Sequence, residues 1–132
     1  MTALFQNREL ADAMAEKLRV FAQPQRLMVL SLLLEGERTV GQIDSATAIG
    51  QPALSQQLAE LRRTEMVRTR REAKQVFYSL ADDKIALCVR TMEAMMGNDD
   101  PSAALHQALQ PPSAAEPAAG IPRGAAGFAR IG

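Results

Sequence analysis

The chain has 132 residues, with 15 Lys+Arg against 15 Asp+Glu, 47% hydrophobic residues, one His and one Cys. This length predicts one domain, and a lone Cys beside a lone His excludes both a disulfide framework and a zinc site built from Cys and His. The longest apolar stretch, Leu27 to Leu34, is broken by Ser31 and falls far short of the roughly 20 residues that span a bilayer. With no basic-then-apolar leader at the start, a soluble cytoplasmic protein with no membrane partner is expected.

In chain order, Leu10, Met14, Leu18 and Phe21 fall on one helical face and predict a first helix over residues 7–22. Pro24 suits the first turn of a second helix, whose Leu27, Leu30, Leu33 and Leu34 repeat at helical spacing until Gly36. Thr39 reads as the N-cap of a short third helix from Val40 to Thr47, and Ala48-Ile49-Gly50 as a tight connection. A fourth helix over residues 51–63 follows, with Leu54, Leu58 and Leu61 along one edge. Val67–Arg71 and Gln75–Leu80, separated by Glu72-Ala73-Lys74, read as a β-hairpin, and a fifth helix is expected from Asp82 to Met96.

From Asn98 the composition changes, with five of the seven Pro and ten Ala in the last 35 residues. Residues 98–132 therefore read as a mostly disordered tail with at most a short helical turn around Ala103 to Leu109, and residues 1–97 as the folded domain. The expected fold is mainly α with a small β-hairpin. The order helix, helix, helix, helix, hairpin, helix is that of a winged helix-turn-helix.

Zero net charge conceals a concentration: between Arg62 and Lys74 stand Arg62, Arg63, Arg68, Arg70, Arg71 and Lys74 against only Glu65 and Glu72. Charge runs are usually solvated faces, but this one spans the end of the fourth helix and the hairpin, the two parts that flank phosphates when a recognition helix enters the major groove. On that helix Pro52, Gln56, Ala59 and Arg63 point away from the leucine edge. Gln56 has the chemistry to bond adenine bidentately, and Ser55 suits a base or a phosphate. Gln51 and Gln57 lie nearer the apolar edge and are weaker candidates. With only five aromatics, the chain is poor in stacking surface for single strands, so duplex DNA is the expected partner.

On the fifth helix Ile85, Val89, Met92 and Met96 form a narrow stripe with Cys88 on its shoulder. Together with the face of the first helix, carrying Leu10 and Met14, this stripe is read as a two-fold dimer interface, the alternative being that both stripes pack only inside the protomer. A homodimer presents two recognition helices to a pseudo-palindromic operator.

The segments Pro24-Gln25-Arg26-Leu27, Leu33-Leu34-Glu35-Gly36-Glu37, Gln51-Pro52-Ala53-Leu54-Ser55-Gln56-Gln57-Leu58, and Arg70-Arg71-Glu72 through Val76-Phe77-Tyr78-Ser79-Leu80 resemble the ArsR/SmtB family of bacterial repressors. The likeness covers residues 7–97, and the Ala-Leu-Ser-Gln-Gln-Leu segment and Arg-Arg-Glu-Ala-Lys wing are similar to the branch of nodulation, biofilm and sulfide regulators. It implies a homodimer that occupies operator DNA and represses transcription, in many members until a metal or oxidant binds. The Cys-rich segment of metal-sensing members is here Arg38-Thr39-Val40-Gly41-Gln42-Ile43, and the fifth helix has no His. Asp82, Asp83 and Glu93 offer only hard oxygen donors at unsuitable spacing, so no metal or other cofactor is expected. Dithiol members place one Cys in the second helix, where this chain has Ser31, and one in the fifth, leaving Cys88 as the single candidate redox thiol, while the ordinary reading of such a lone Cys is a small apolar packing residue. The effector is left open.

Catalysis needs a positioned base or nucleophile, and residues 1–97 hold no His, no Gly-rich phosphate loop, and no Ser or Cys with an evident partner. No enzyme is expected, and His106 reads as a surface residue. The rival expectation is a dimeric winged helix that serves as a protein-interaction module without binding an operator.

Overall fold

Side-chain caps set the starts of most helices in the computed structural model, which describes residues 2–110. After a 3-10 turn at Leu4–Gln6, α1 (Arg8–Phe21) begins where the Asn7 side chain accepts the N–H of Leu10 at 2.9 Å. The Gln23 carboxamide accepts from Arg26 N at 2.8 Å to start α2 (Pro24–Leu33), with Pro24 in the first turn. Thr39 and Gln42 exchange side-chain and backbone bonds in a capping box that opens α3 (Val40–Thr47). Asp82 and Asp100 accept from Ile85 N and Ser102 N at the heads of α5 (Asp83–Gly97) and α6 (Pro101–Leu109). Each cap satisfies a backbone donor that the helix itself leaves unpaired.

α4 (Ala53–Arg63) begins two residues later than the leucine spacing predicts, and the preceding residues form the turn out of α3. Its end closes in a Schellman arrangement: Met66 N donates to Leu61 O at 2.9 Å and Glu65 N to Arg62 O at 3.1 Å, with Glu65 in the left-handed region at φ 61°. Met66 and Leu61 are both buried, which anchors the start of the wing to the core.

The wing is β2 (Val67–Glu72) and β3 (Gln75–Leu80), paired antiparallel from Val67 opposite Leu80 to Glu72 opposite Gln75 around a two-residue tip, Ala73-Lys74. Glu72 thus belongs to the strand rather than to the connection. A third strand absent from the sequence reading, β1 (Arg38–Thr39), pairs with β3 and gives the order β1-β3-β2. It ties the segment leading into α3 to the wing.

The core is built from Val29, Leu30 and Leu33 of α2, Ile43 of α3, Leu54, Leu58 and Leu61 of α4, and Ile85 and Val89 of α5. Burying a side chain of this size is worth about 1.5–3 kcal/mol. A smaller apolar cluster of Ala94, Ala104 and Ala108 joins α5 to α6, where small residues let the two helices approach closely. Arg90 Nε donates to the Ala108 carbonyl at 3.1 Å, and the Asn98 amide donates to Ala94 O and Gln107 Oε1.

Residues 101–109 therefore form a helix packed on α5, longer than the turn expected at Ala103 to Leu109, and the folded part continues past residue 97. The rest of the expected tail, residues 111–132, lies outside the described residues. Among the described residues, no helix is long and apolar enough to cross a membrane.

Candidate nucleic-acid interface

The turn between α3 and α4 is fixed by Asp44. Its carbonyl accepts Ala48 N at 2.7 Å and its carboxylate accepts Gly50 N at 2.9 Å. Ala48 and Gly50 both have positive φ, at 57° and 84°, and Thr47 caps inward onto Ile43 O. These bonds set the angle at which α4 leaves α3, while Leu54, Leu58 and Leu61 hold its inner face on the core.

The expected site residues separate into several environments. Gln56 is exposed and makes no side-chain bond among the described residues. Gln51, which precedes α4, accepts from both the backbone N–H and the hydroxyl of Ser55, at 3.0 and 2.8 Å, and so caps a helix to which Pro52 contributes no side-chain bond. Gln57 is half-buried and its amide reaches back to Gln25 Oε1 on α2 at 3.5 Å, which turns it away from the outer face.

Among the cations, Arg63 Nε is bonded to Glu60 Oε1 at 3.0 Å. That hydrogen bond holds the Glu60 carboxyl below its usual range and the Arg63 guanidinium above its own. Arg70 is held by Glu37 and Glu72 and lies over the Phe77 ring at 4.4 Å, and the same two carboxylates raise its pKa. Arg62, Arg68, Arg71 and Lys74 are exposed and form no ion pair among the described residues. The free positive charge therefore lies at the end of α4, along β2 and at the wing tip. Glu37 and Phe77 are not among the expected site residues, since neither belongs to α4 or to the cationic run. The direct opposition of Arg70 and Phe77 follows from strand register, and Glu37 meets them only because β1 pairs with β3.

The expected dimer stripe on α5 is corrected in part. Ile85 and Val89 are 5% and 2% exposed and belong to the protomer's own core, and Met92 packs half-buried against it. The inward stripe is consumed in closing the core against α2 and β3. Cys88 is exposed, as are Met95 and Met96, the last at 88%. On α1, Leu10 and Met14 are 37% and 42% exposed, with Leu18 also outward, and Phe5 of the preceding 3-10 turn is exposed too. The Ser31 hydroxyl donates to the Glu93 carboxylate on α5, so the α2 position without a thiol is joined to α5 by this bond rather than through Cys88. Among the described residues no three His, Cys, Asp or Glu side chains gather as a metal site. An open cleft of about 800 Å³ lies between Gly41, Gln42 and Ser45 of α3 and Thr39, Gln75 and Phe77 of the sheet, with no ionisable side chain in its lining.

A family model described as "Bacterial regulatory protein, arsR family" matches residues 23–69, which hold α2, the α3–turn–α4 unit and the start of the wing. The Biofilm growth-associated repressor of Agrobacterium fabrum is 46% identical over 85 residues, covering 64% of this chain and 73% of that protein. The chain belongs to the ArsR family of bacterial regulators.

Solved structures agree with that placement. The transcriptional repressor BigR from Xylella fastidiosa superposes with a TM-score of 0.63 at 38% identity, over 70% of this chain and 93% of that one. The homodimeric winged helix-turn-helix DNA-binding domain of a possible ArsR-family regulator from Mycobacterium bovis superposes at 0.62 with 28% identity, over 70% of this chain and 85% of that one. The ArsR-family chain is thus a winged helix-turn-helix transcriptional regulator of the DNA-binding class, as its sequence led one to expect. Nothing in these likenesses favours a winged helix restricted to protein contacts.

Proposed function

We propose that this chain is a homodimeric repressor that acts by binding rather than catalysis, in the cytoplasm, and reads a pseudo-palindromic duplex operator through α4. The observation that carries the reading is an exposed carboxamide without a side-chain partner at Gln56 on α4, together with four exposed cations, Arg62 at the end of α4 and Arg68, Arg71 and Lys74 on the wing, that have no carboxylate partners among the described residues. A carboxamide can distinguish adenine in the major groove, whereas cations at the flanks neutralise phosphates irrespective of sequence. The outward apolar residues Leu10, Met14 and Leu18 of α1, with Met95 and Met96 of α5, supply the face for a second copy. Two recognition helices related by a two-fold axis then meet half-sites about 34–36 Å apart. The Agrobacterium relative's name as a repressor supports repression as the output.

Selection of binding sequences from a random duplex pool tests this directly. The selected sites are expected to show dyad symmetry, and log affinity to fall linearly with log salt as phosphate counterions are released. Recovery of no preferred sequence, with affinity indifferent to salt, would overturn the reading.

A further inference from the structure

Arg70 is the most heavily engaged cation of the wing. Its Nε lies 2.9 and 3.0 Å from the two Glu37 carboxylate oxygens, Nη2 also bonds Glu37, Nη1 bonds Glu72 Oε1 at 2.6 Å, and its guanidinium carbon sits 4.4 Å from the centre of the Phe77 ring. All three nitrogens and one face of the group are thereby occupied. Glu37 is 33 residues away in sequence, just beyond Gly36, whose φ of 131° turns the chain from α2 into β1. Isolated surface ion pairs contribute little, but a forked arginine–carboxylate pair within a network, stacked on an aromatic ring, is the exception to that rule.

We propose that Arg70 is a positioning residue for DNA binding: through Glu37 it fixes the wing against the α2–β1 connection, and it does not itself neutralise a phosphate. The inference rests on the operator-binding reading above. It divides the wing's cations by role, since Arg68, Arg71 and Lys74 have no competing carboxylate among the described residues and are the ones free to meet a phosphate. The two roles for Arg70 predict opposite consequences of removing Glu37. If Glu37 anchors the wing, its loss weakens binding; if it merely masks a phosphate-binding arginine, its loss strengthens binding.

The test uses a duplex recovered from a random pool by the wild-type protein, with affinity measured across a salt series for Glu37→Gln, Arg70→Gln, their combination, and Arg71→Gln. The two single variants are expected to lose affinity by at least about threefold. The combined variant should be no weaker than the worse single one, and the log–log salt slope should stay at the wild-type value. Arg71→Gln should shallow the slope by about 0.9, the value for one lost phosphate contact. Tighter binding with a steeper slope in Glu37→Gln, or a slope reduced by about 0.9 in Arg70→Gln, would overturn the proposal. Hydrogen exchange without DNA separates this outcome from failure of the operator reading. Faster exchange of β2 and β3 amides in both single variants, with no further increase in the double, supports the anchor even if no duplex binds. Wild-type protection in all three removes it.

Discussion

The Asp44 carboxylate of α3 accepts the N–H of Gly50, six residues further along, at 2.9 Å, and so closes the turn that aims α4. Both partners are half-buried, and water replaces the bond poorly at such a position. Asp44→Ala is expected to cost about 1–3 kcal/mol by leaving the Gly50 donor unpaired. Thermal unfolding reads the loss, and Asp44→Asn, which keeps an acceptor, should recover most of it. An Ala variant as stable as wild type would show that the turn holds without the bond.

Gln56 and Ser55 differ in what already engages them, and this sets their expected sensitivity. Gln56→Ala should lower discrimination between a selected operator and a random duplex by about 1–3 kcal/mol while leaving random-duplex affinity unchanged. Ser55→Ala should have a smaller effect on discrimination, because its hydroxyl is bonded to Gln51. Parallel titrations of both duplexes measure the difference, and equal losses on the two would remove Gln56 from base reading.

Exposure distinguishes assembly from folding. Met14→Asp places a charge on an outward residue of α1 and is expected to yield a monomer in sedimentation with unchanged helical circular dichroism. Val89→Asp places the same charge at a position 2% exposed inside the protomer and is expected to unfold it. A dimeric Met14→Asp protein would move the interface away from α1.

The α5–α6 contact is built around small residues, with Ala94 fully buried and Ala104 only 7% exposed. Ala104→Glu is therefore expected to prise α6 from α5 at a cost of about 1–3 kcal/mol. Backbone exchange in residues 101–109 should approach unfolded rates while α4 stays protected. Retained protection in α6 would show that the helix is held by something other than the alanine contact.

Much of this architecture is legible from residue order because the signals are local. The Thr39 cap and the α3 limits emerge directly, and the leucine spacing of α4 separates its inner from its outer face. What escapes is set by contacts distant in sequence. β1 is two residues long, too short to show alternation, and exists through its pairing with β3. α6 looks like part of a Pro- and Ala-rich tail until Ala94 and Arg90 are brought against it. Periodicity on α5 correctly finds an apolar stripe but cannot say what covers it, and Ile85 and Val89 turn inward. The cationic run likewise gives six positive residues without revealing that Glu37 and Glu60 engage two of them.

Cys88 has a practical consequence, since it is the sole sulfhydryl of the chain and lies exposed on α5. A maleimide-linked nitroxide would attach at one chemically defined point on the native polypeptide, without engineered substitutions. In an assembly of two copies the spins form a symmetric pair, and pulsed dipolar spectroscopy would turn their separation into a direct ruler for how the two α5 axes lie.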